Sequence, residues 1–324
     1  MKRLSLLSHL VSLLVGISVL SAGEKVGTTS FQFLKLSLDA RSAAMGDAGV
    51  STVKSSEALF WNPAGIRTMS GLDVATSYID YFLDVNMYSG CASMPLGRSS
   101  AIGLFAIVVD YGTIEVTDAN HLGFNADWTY NPGLTGDVIH PTASVFGISF
   151  ANSVTDRLTF GVSAKYLRED LAAAKGSTVS FDGGLLYETG WHSLRFGLSI
   201  KNFGPEVTFI KESYPVPETF AVGISAYLFS PDEALLIQTR SQSLLFSYDL
   251  SHPRDYDQQH HVGLEYSLGD FLFLRGGYKI NFDEEGLTYG FGVKYGNFRL
   301  DYAYDRFGDT LPAVHRLSIG YALN

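Results

Sequence analysis

Hydrophobic and polar residues alternate with a period of two along most of the chain after Gly71. Residues 158–166 read LTFGVSAKY and residues 287–295 read LTYGFGVKY, so apolar side chains occupy every second position. Because successive side chains of a strand point to opposite faces, this pattern predicts strands with one apolar face. The other face is small, rich in glycine and carries charges of both signs.

The alternation predicts about fourteen strands, each near or above the roughly 9–11 residues that a tilted strand needs to cross a bilayer. Their predicted ranges are 72–81, 84–96, 99–111, 141–152, 157–169, 178–190, 192–203, 217–229, 234–249, 259–268, 271–280, 286–295, 298–306 and 314–323.

The lengths of the connections separate a membrane barrel from a soluble β-sandwich, whose strands alternate in the same way. Connections that follow even-numbered strands are tight, at 97–98, 152–155, 190–191, 230–233, 269–270 and 296–297. Those that follow odd-numbered strands are mostly long, as at 112–140, 170–177, 204–216, 250–258 and 308–313. Tight turns at one end and long loops at the other are typical of outer-membrane barrels. We therefore expect an all-β fold in which residues 71–324 form one closed antiparallel transmembrane barrel of about fourteen strands.

The first residues predict export. Lys2 and Arg3 precede an apolar stretch at 4–20, and Ser21-Ala22-Gly23 supplies small residues for cleavage. This arrangement indicates a secretory signal peptide over residues 1–23. No later stretch is apolar enough for a spanning helix, so a membrane location requires a closed barrel. We therefore expect the protein in the outer membrane of a Gram-negative type of cell, in contact with outer-membrane lipid.

Residues 24–70 follow no strict period and are rich in small side chains. A helical turn that Asp39 or Ser42 can cap is predicted here. The turn contains Ala43, Ala44, Met45, Gly46 and Asp47. A second turn can begin at Pro63, capped by Asn62 and followed by Ala64 and Gly65. The alternative is an ordinary turn-rich segment, since Asn-Pro mostly marks turns.

The two stretches ARSAAMGDAGVS and ALFWNPAG are similar to the N-terminal signature of the PorV/PorQ family of outer-membrane proteins. That family resembles the wider group of FadL-type fatty-acid channels, in which an Asn-Pro-Ala segment lies in a hatch inside a fourteen-stranded barrel. The resemblance implies that residues 24–70 form a short helical hatch in the lumen, with Asn62, Pro63, Ala64 and Gly65 as its motif. It covers Asp39 to Gly65, and the rest of the chain is similar only in architecture.

Composition and motifs limit the partners, metal sites and reactions that the sequence supports. A net charge of −10 argues against nucleic acid as a partner. The only cysteine is Cys91, which excludes an intramolecular disulfide. The pair His260-His261 cannot chelate a metal from one side, because neighbouring strand residues point to opposite faces. The acidic tip Asp283-Glu284-Glu285 is more typical of a solvated turn than of a calcium site. No catalytic set is recognisable, so we expect no enzyme, no cofactor and no metal site.

Two functions remain open. The resemblance to PorV implies a component of type IX secretion that contacts a large translocon barrel or exported cargo. The resemblance to FadL-type channels implies uptake of a hydrophobic small molecule. The long connection 112–140 carries Phe124, Trp128 and Tyr130, which fit an extracellular recognition loop. They could instead pack over the barrel mouth as a lid, in which case both Phe124 and Trp128 would be buried.

Overall fold

The computed structural model describes residues 26–308 and 311–323, so the predicted signal peptide lies outside the described residues. The fold is all-β, and fourteen antiparallel strands form one closed barrel. Within the described residues, no helix has the length and hydropathy that crossing a membrane requires. The fold class expected from the alternation is therefore confirmed.

The barrel strands are numbered here in chain order. They are β1 (Leu72–Asp80), β2 (Asn86–Leu96), β3 (Ser100–Asp110), β4 (Thr142–Ser153), β5 (Leu158–Asp170), β6 (Lys175–Glu188), β7 (Arg195–Phe203), β8 (Thr219–Ser230), β9 (Gln242–Pro253), β10 (Gln259–Leu268), β11 (Leu272–Ile280), β12 (Glu285–Tyr295), β13 (Phe298–Phe307) and β14 (Val314–Leu323).

Each strand pairs antiparallel with its neighbours in sequence, and the first strand pairs with the last. The register between β1 and β14 runs from Leu72 opposite Leu323 to Asp80 opposite His315. This final pairing closes the sheet into a barrel. In lipid such closure is obligatory, because an unpaired backbone group has no water to bond.

The burial pattern is inverted relative to a soluble sandwich. In β1, Asp73 and Ser77 are buried, whereas Val74 and Tyr78 are exposed. The same inversion holds around the wall, where eleven charged side chains of the described strands are buried. They are Asp73, Lys165, Glu169, Asp182, Asp249, Glu265, Arg275, Lys279, Asp301, Asp305 and Arg316. The outer face of the wall is thus apolar and the charged side chains of the strands face inward, as in a transmembrane barrel.

The inner wall has two different arcs. Over β1 to β5 the inward side chains are mainly apolar, and they form one cluster with residues of the N-terminal segment. The members of this cluster from β1 to β5 are Ala75, Ile79, Met87, Cys91, Ala101, Phe105, Ile107, Val109, Ala143, Val145, Ala151 and Leu167. The charged inward residues concentrate on β9 to β14. The lumen is therefore filled partly by hydrophobic packing and partly by ion pairs.

Three of the predicted long connections differ from the structure. The connection 112–140 is not an irregular loop, because its strands Ile114–Phe124 and Tyr130–Ile139 form a two-stranded hairpin. The connection after β5 is short, since β6 already begins at Lys175. A minor hairpin of Val207–Phe209 and Glu212–Tyr214 occupies the connection between β7 and β8.

The predicted tight turn at 230–233 is wrong, because β9 starts only at Gln242. The reason is a gap in pairing: β7 covers β8 only as far as Ser225. The connection folds back along the uncovered edge, where the Leu235 N–H donates to the Tyr227 carbonyl at 2.8 Å. Ile237 then pairs in parallel with Phe229. An edge that would otherwise be open is covered in this way.

The inverted burial gives a direct test at Ile148, an outward residue in the middle of β4 that is 55% exposed. We expect Ile148→Arg to lower the free energy of unfolding in phospholipid vesicles by about 2–4 kcal/mol, because the charge enters the hydrocarbon region. Urea titration followed by fluorescence measures this, with Ile148→Leu as the matched control. Equal stability of the two variants would show that this face does not contact lipid.

Candidate functional site

Residues 26–70, called the lumenal segment below, run through the barrel from one end to the other. At the end that carries the hairpin, the Ser30 N–H donates to the Pro215 carbonyl at 2.9 Å. At the opposite end, the Arg67 guanidinium donates to the carbonyl of Arg98, in the turn between β2 and β3. We call these the loop end and the turn end. In outer-membrane barrels the longer loops are extracellular.

The helical content of this segment is small. One α-helix spans Ala40–Ala44, and 3₁₀ turns span Gln32–Lys35, Ser56–Phe60 and Pro63–Thr68. The helix begins where Asp39 accepts a hydrogen bond from the Ser42 N–H at 2.7 Å, as expected for one of the two predicted caps. The same carboxylate accepts the indole N–H of Trp61, so it links the two halves of the segment. Whether the segment acts as a hatch stays a prediction.

Small residues bring the first turn into backbone contact with the wall. Ala43, Ala44 and Met45 are fully buried. The N–H of Gly46, whose φ is +64°, donates to Thr288 Oγ1 at 2.9 Å. A Cβ added to Gly277 of β11 would lie 2.1 Å from the Gly46 nitrogen, which is far inside contact distance. Only glycine at position 277 permits this approach.

Ion pairs fix the segment to the charged arc. The Arg41 guanidinium donates two hydrogen bonds of 2.9 Å to Glu265 of β10. Glu265 also accepts from Arg275 at 2.6 Å, and Arg275 pairs in turn with Asp301 at 2.6 Å. All four groups lie in the lumen, where water competes little. Such charge-assisted bidentate pairs hold a defined orientation.

The pKa values of two acidic residues of the segment shift in opposite directions. Burial disfavours ionisation of Asp47, but the Lys279 ammonium 2.6 Å away holds the pKa of this carboxyl below its usual range. Burial raises the pKa of Glu57 to about 7, although the Arg299 guanidinium at 3.3 Å opposes the shift. Asp47 therefore remains ionised at neutral pH, whereas Glu57 titrates there.

The raised pKa of Glu57 has a defined effect on stability. Its contribution is most favourable below the pKa of the unfolded chain and is lost as pH rises through about 7. We expect the thermal midpoint of the wild type to fall more between pH 5 and pH 8 than that of Glu57→Gln. Heat-modifiability on gels measures both. Glu212→Gln, at an exposed position, is the control, and parallel pH profiles of wild type and Glu57→Gln would contradict the assignment.

The Asn-Pro motif has a clear physical role. Asn62 Oδ1 accepts the Ala64 N–H at 3.1 Å, which caps the turn that starts at Pro63. Its Nδ2 group donates to the Val50 carbonyl at 3.0 Å and to the Leu185 carbonyl of β6 at 2.9 Å. One amide thus joins both halves of the segment to the wall. Neither a carboxylate nor a hydroxyl supplies this combination of one acceptor and two donors.

This role predicts the outcome of a near-isosteric change. Asn62→Asp keeps the cap but replaces both donors by an anion facing two carbonyl groups. Each buried group left without its partner costs about 1–3 kcal/mol, so we expect a clearly lower thermal midpoint. Asn297→Asp, at an exposed position in the turn between β12 and β13, is the control for charge alone. A midpoint equal to that of the wild type would exclude the structural role of the Nδ2 donors.

A cavity of about 550 Å³ lies above the lumenal segment at the loop end. Its apolar side includes Phe33, Leu36, Met87, Val109 and Phe307. Its polar side includes Asp47, Lys201, Asp249, His261, Lys279 and Arg316. The volume falls within the range of roughly 300–1,000 Å³ typical of small-molecule sites.

The hairpin presents the three predicted aromatic residues at its tip. Phe124 is 68% exposed, Trp128 83% and Tyr130 61%. The rings touch one another, with centroids 6.4 Å apart for Phe124 and Trp128 and 5.8 Å for Phe124 and Tyr130. Because both Phe124 and Trp128 are exposed, they do not form a lid over the barrel mouth. Their role in recognition stays a prediction.

The turn of the hairpin is held by local hydrogen bonds. The Asn125 N–H donates to the Thr129 carbonyl at 2.9 Å, and the Trp128 N–H donates to the Asn125 carbonyl at 3.0 Å. Asp127 accepts the Thr129 N–H at 3.1 Å. Trp128 adopts a φ of +65°, in the left-handed region. The aromatic tip is therefore displayed on an ordered turn.

The histidine pair and the acidic tip lie in different surroundings. His260 Nδ1 lies 2.7 Å from the hydroxyl of outward-facing Tyr248, whereas His261 Nδ1 lies 2.8 Å from the Gly46 carbonyl in the lumen. The pair therefore points to opposite faces of the wall. In the acidic tip, Asp283 accepts a hydrogen bond from the Tyr256 hydroxyl at 2.5 Å.

Sequence reasoning missed three lumenal groups. Asp255 accepts hydrogen bonds from the side chains of Thr29, Gln32 and Lys35, and thereby fixes the start of the segment at the loop end. Lys201 and Asp249 line the cavity from β7 and β9. Alternation places the two strand residues on the inward face, but it cannot show which distant residues they meet.

Comparison with known proteins gives one family and one fold. A family model described as "Type IX secretion system protein PorV" matches residues 20–213. A comparison with curated proteins found no significant sequence match.

Several solved structures share the fold. The toluene transporter TbuX of Ralstonia pickettii is 16% identical, with 88% of this chain and 98% of that chain covered and a TM-score of 0.59. The toluene transporter TodX of P. putida is 13% identical, with coverages of 88% and 98% and a TM-score of 0.59. A FadL homologue of Pseudomonas aeruginosa is 12% identical, with coverages of 94% and 100% and a TM-score of 0.54. At these identities the likeness is one of fold alone.

Proposed function

Because the chain belongs to the PorV family of type IX secretion system proteins, we propose that it contacts a translocon barrel or exported cargo at the cell surface. The single observation that best supports this role is the hairpin with its exposed aromatic tip. Its position at the loop end would place it outside the cell.

The chemistry of the tip fits protein recognition. Aromatic side chains supply large contact areas and dominate the binding energy of many interfaces. Here the three rings are grouped on an ordered turn, so little freedom is lost when they bind. The lumenal segment supports the same role indirectly, since a filled barrel can present a surface without serving as an open pore.

The test replaces Phe124, Trp128 and Tyr130 together by Ala in a strain that lacks the native gene. We expect secretion of type IX cargo to fall at least tenfold while the amount of barrel in the outer membrane is unchanged. The matched control replaces Ile114 and Val138, which are exposed at the base of the same hairpin. Normal secretion by the triple variant, or an equal loss in the control, would remove the tip from the proposed role.

A second candidate function is uptake of a hydrophobic small molecule, and the cavity is the observation that favours it. Accumulation of radiolabelled toluene or dodecanoate by cells with and without the protein tests this candidate. Uptake that depends on the protein, with secretion unaffected by its loss, would favour the channel over the secretion component. Lost secretion without any change in uptake would favour the reverse.

A further inference from the structure

We propose that the cavity binds an amphipathic molecule whose head carries both an ammonium group and an anionic group. Asp249 would accept the ammonium group, and Lys201 would bind the anion. The inference concerns the cavity of the second candidate function and names its ligand class. It applies whether the ligand is transported or only bound.

The first observation is an unpartnered carboxylate oxygen. Asp249 of β9 is 1% exposed and lines the cavity. Its Oδ2 atom accepts the Val50 N–H at 2.7 Å, but its Oδ1 atom has no hydrogen-bond partner in the described part of the chain. A buried acceptor without a donor is costly. A donor supplied by a ligand would remove this cost.

The second observation is an ammonium group that makes no ion pair. Lys201 Nζ lies 5.0 Å from the centre of the Trp61 ring, and among residues 26–308 and 311–323 it has no carboxylate within 4.0 Å. Contact with the ring face stabilises the cation but does not neutralise it. The Asp249 carboxylate oxygens are likewise more than 4.0 Å from Lys201 Nζ, so the two groups do not form an ion pair with each other.

The other buried charges of the cavity satisfy one another. Lys279 pairs with Asp47 at 2.6 Å, and Arg316 pairs with Asp305. Lys201 and Asp249 are therefore the groups left to meet a ligand head. Because one group is basic and the other is acidic, a simple anion or a hydrocarbon would leave at least one of them without a partner.

The apolar part of the cavity lining suits an acyl chain. Phe33 and Leu36 of the lumenal segment line the cavity together with Met87, Val109 and Phe307 of the wall, and all five belong to or pack against one hydrophobic cluster. Burial of a chain there contributes about 0.8 kcal/mol per CH₂ group. The cavity thus combines a two-charge polar side with an apolar side, which is the complement of a single-chain amphiphile.

The test compares four probes with the full-length mature barrel in nanodiscs by isothermal titration calorimetry. They are 12:0 lysophosphatidylethanolamine, 12:0 lysophosphatidylcholine, dodecanoate and toluene. The ethanolamine head donates N–H groups to Asp249, whereas the choline head has the same charges but no N–H donor. We expect the ethanolamine probe to bind at least tenfold more tightly than each of the other three.

Substitutions then assign the two contacts. Asp249→Asn should remove the preference for the ethanolamine probe over the choline probe. Lys201→Met should weaken the binding of both lysophospholipids by at least tenfold. Lys211→Met, on the minor hairpin turn, is the control and should change neither value. Heat-modifiability confirms that each variant is folded. The order of the four probe affinities is measured on the wild type, so it tests the proposal even if a variant fails to fold.

Two results would overturn the inference. One is binding of dodecanoate or toluene to the wild type that is as tight as, or tighter than, binding of the ethanolamine probe. That result would reject a ligand head with two charges but would leave the channel candidate intact. The other is an ethanolamine preference that Asp249→Asn does not change. Absence of protein-dependent uptake, together with the expected ranking, would instead reject transport and keep the binding site.

Discussion

The need to pair every backbone group in lipid is the constraint on which the rest of this structure depends. It requires β1 to pair with β14, and it explains why residues 235–239 cover the free edge of β8. Closure of fourteen strands also encloses a space too wide for wall side chains alone. The lumenal segment fills that space, so its small residues and its charges follow from the closure of the wall.

The fit between segment and wall depends on polar groups more than on hydrophobic area. Arg41, Asp47 and Asn62 each bond directly to the inner wall, on different strands. Buried ion pairs contribute little net stability, because desolvation offsets their attraction, but removal of one partner is expensive. They therefore specify one position for the segment. That fixed position in turn forms the floor of the cavity.

The sequence alone predicted the barrel because alternation and connection length are local properties. The strands 259–268 and 314–323 were predicted with their observed bounds. The prediction was wrong near 234, because β7 begins only at Arg195 and leaves the edge of β8 beyond Ser225 for the connection to cover. Lys201 and Asp249 were missed for a similar reason. Both stand out because no side chain of a distant strand pairs with them, and sequence alone does not show which distant residues come near. The aromatic residues of the hairpin were found because exposed rings among polar residues form a local signal.

The most direct test of the central claim, that the lumenal segment fills the barrel, is ion conductance in planar bilayers. It compares the wild type with a variant in which residues 40–66 are replaced by a short Gly-Ser linker and whose barrel is verified by heat-modifiability. Loss of the segment should convert a nearly silent protein into one with discrete open-channel steps. Equal conductance of the two proteins, with both barrels folded, would contradict the claim.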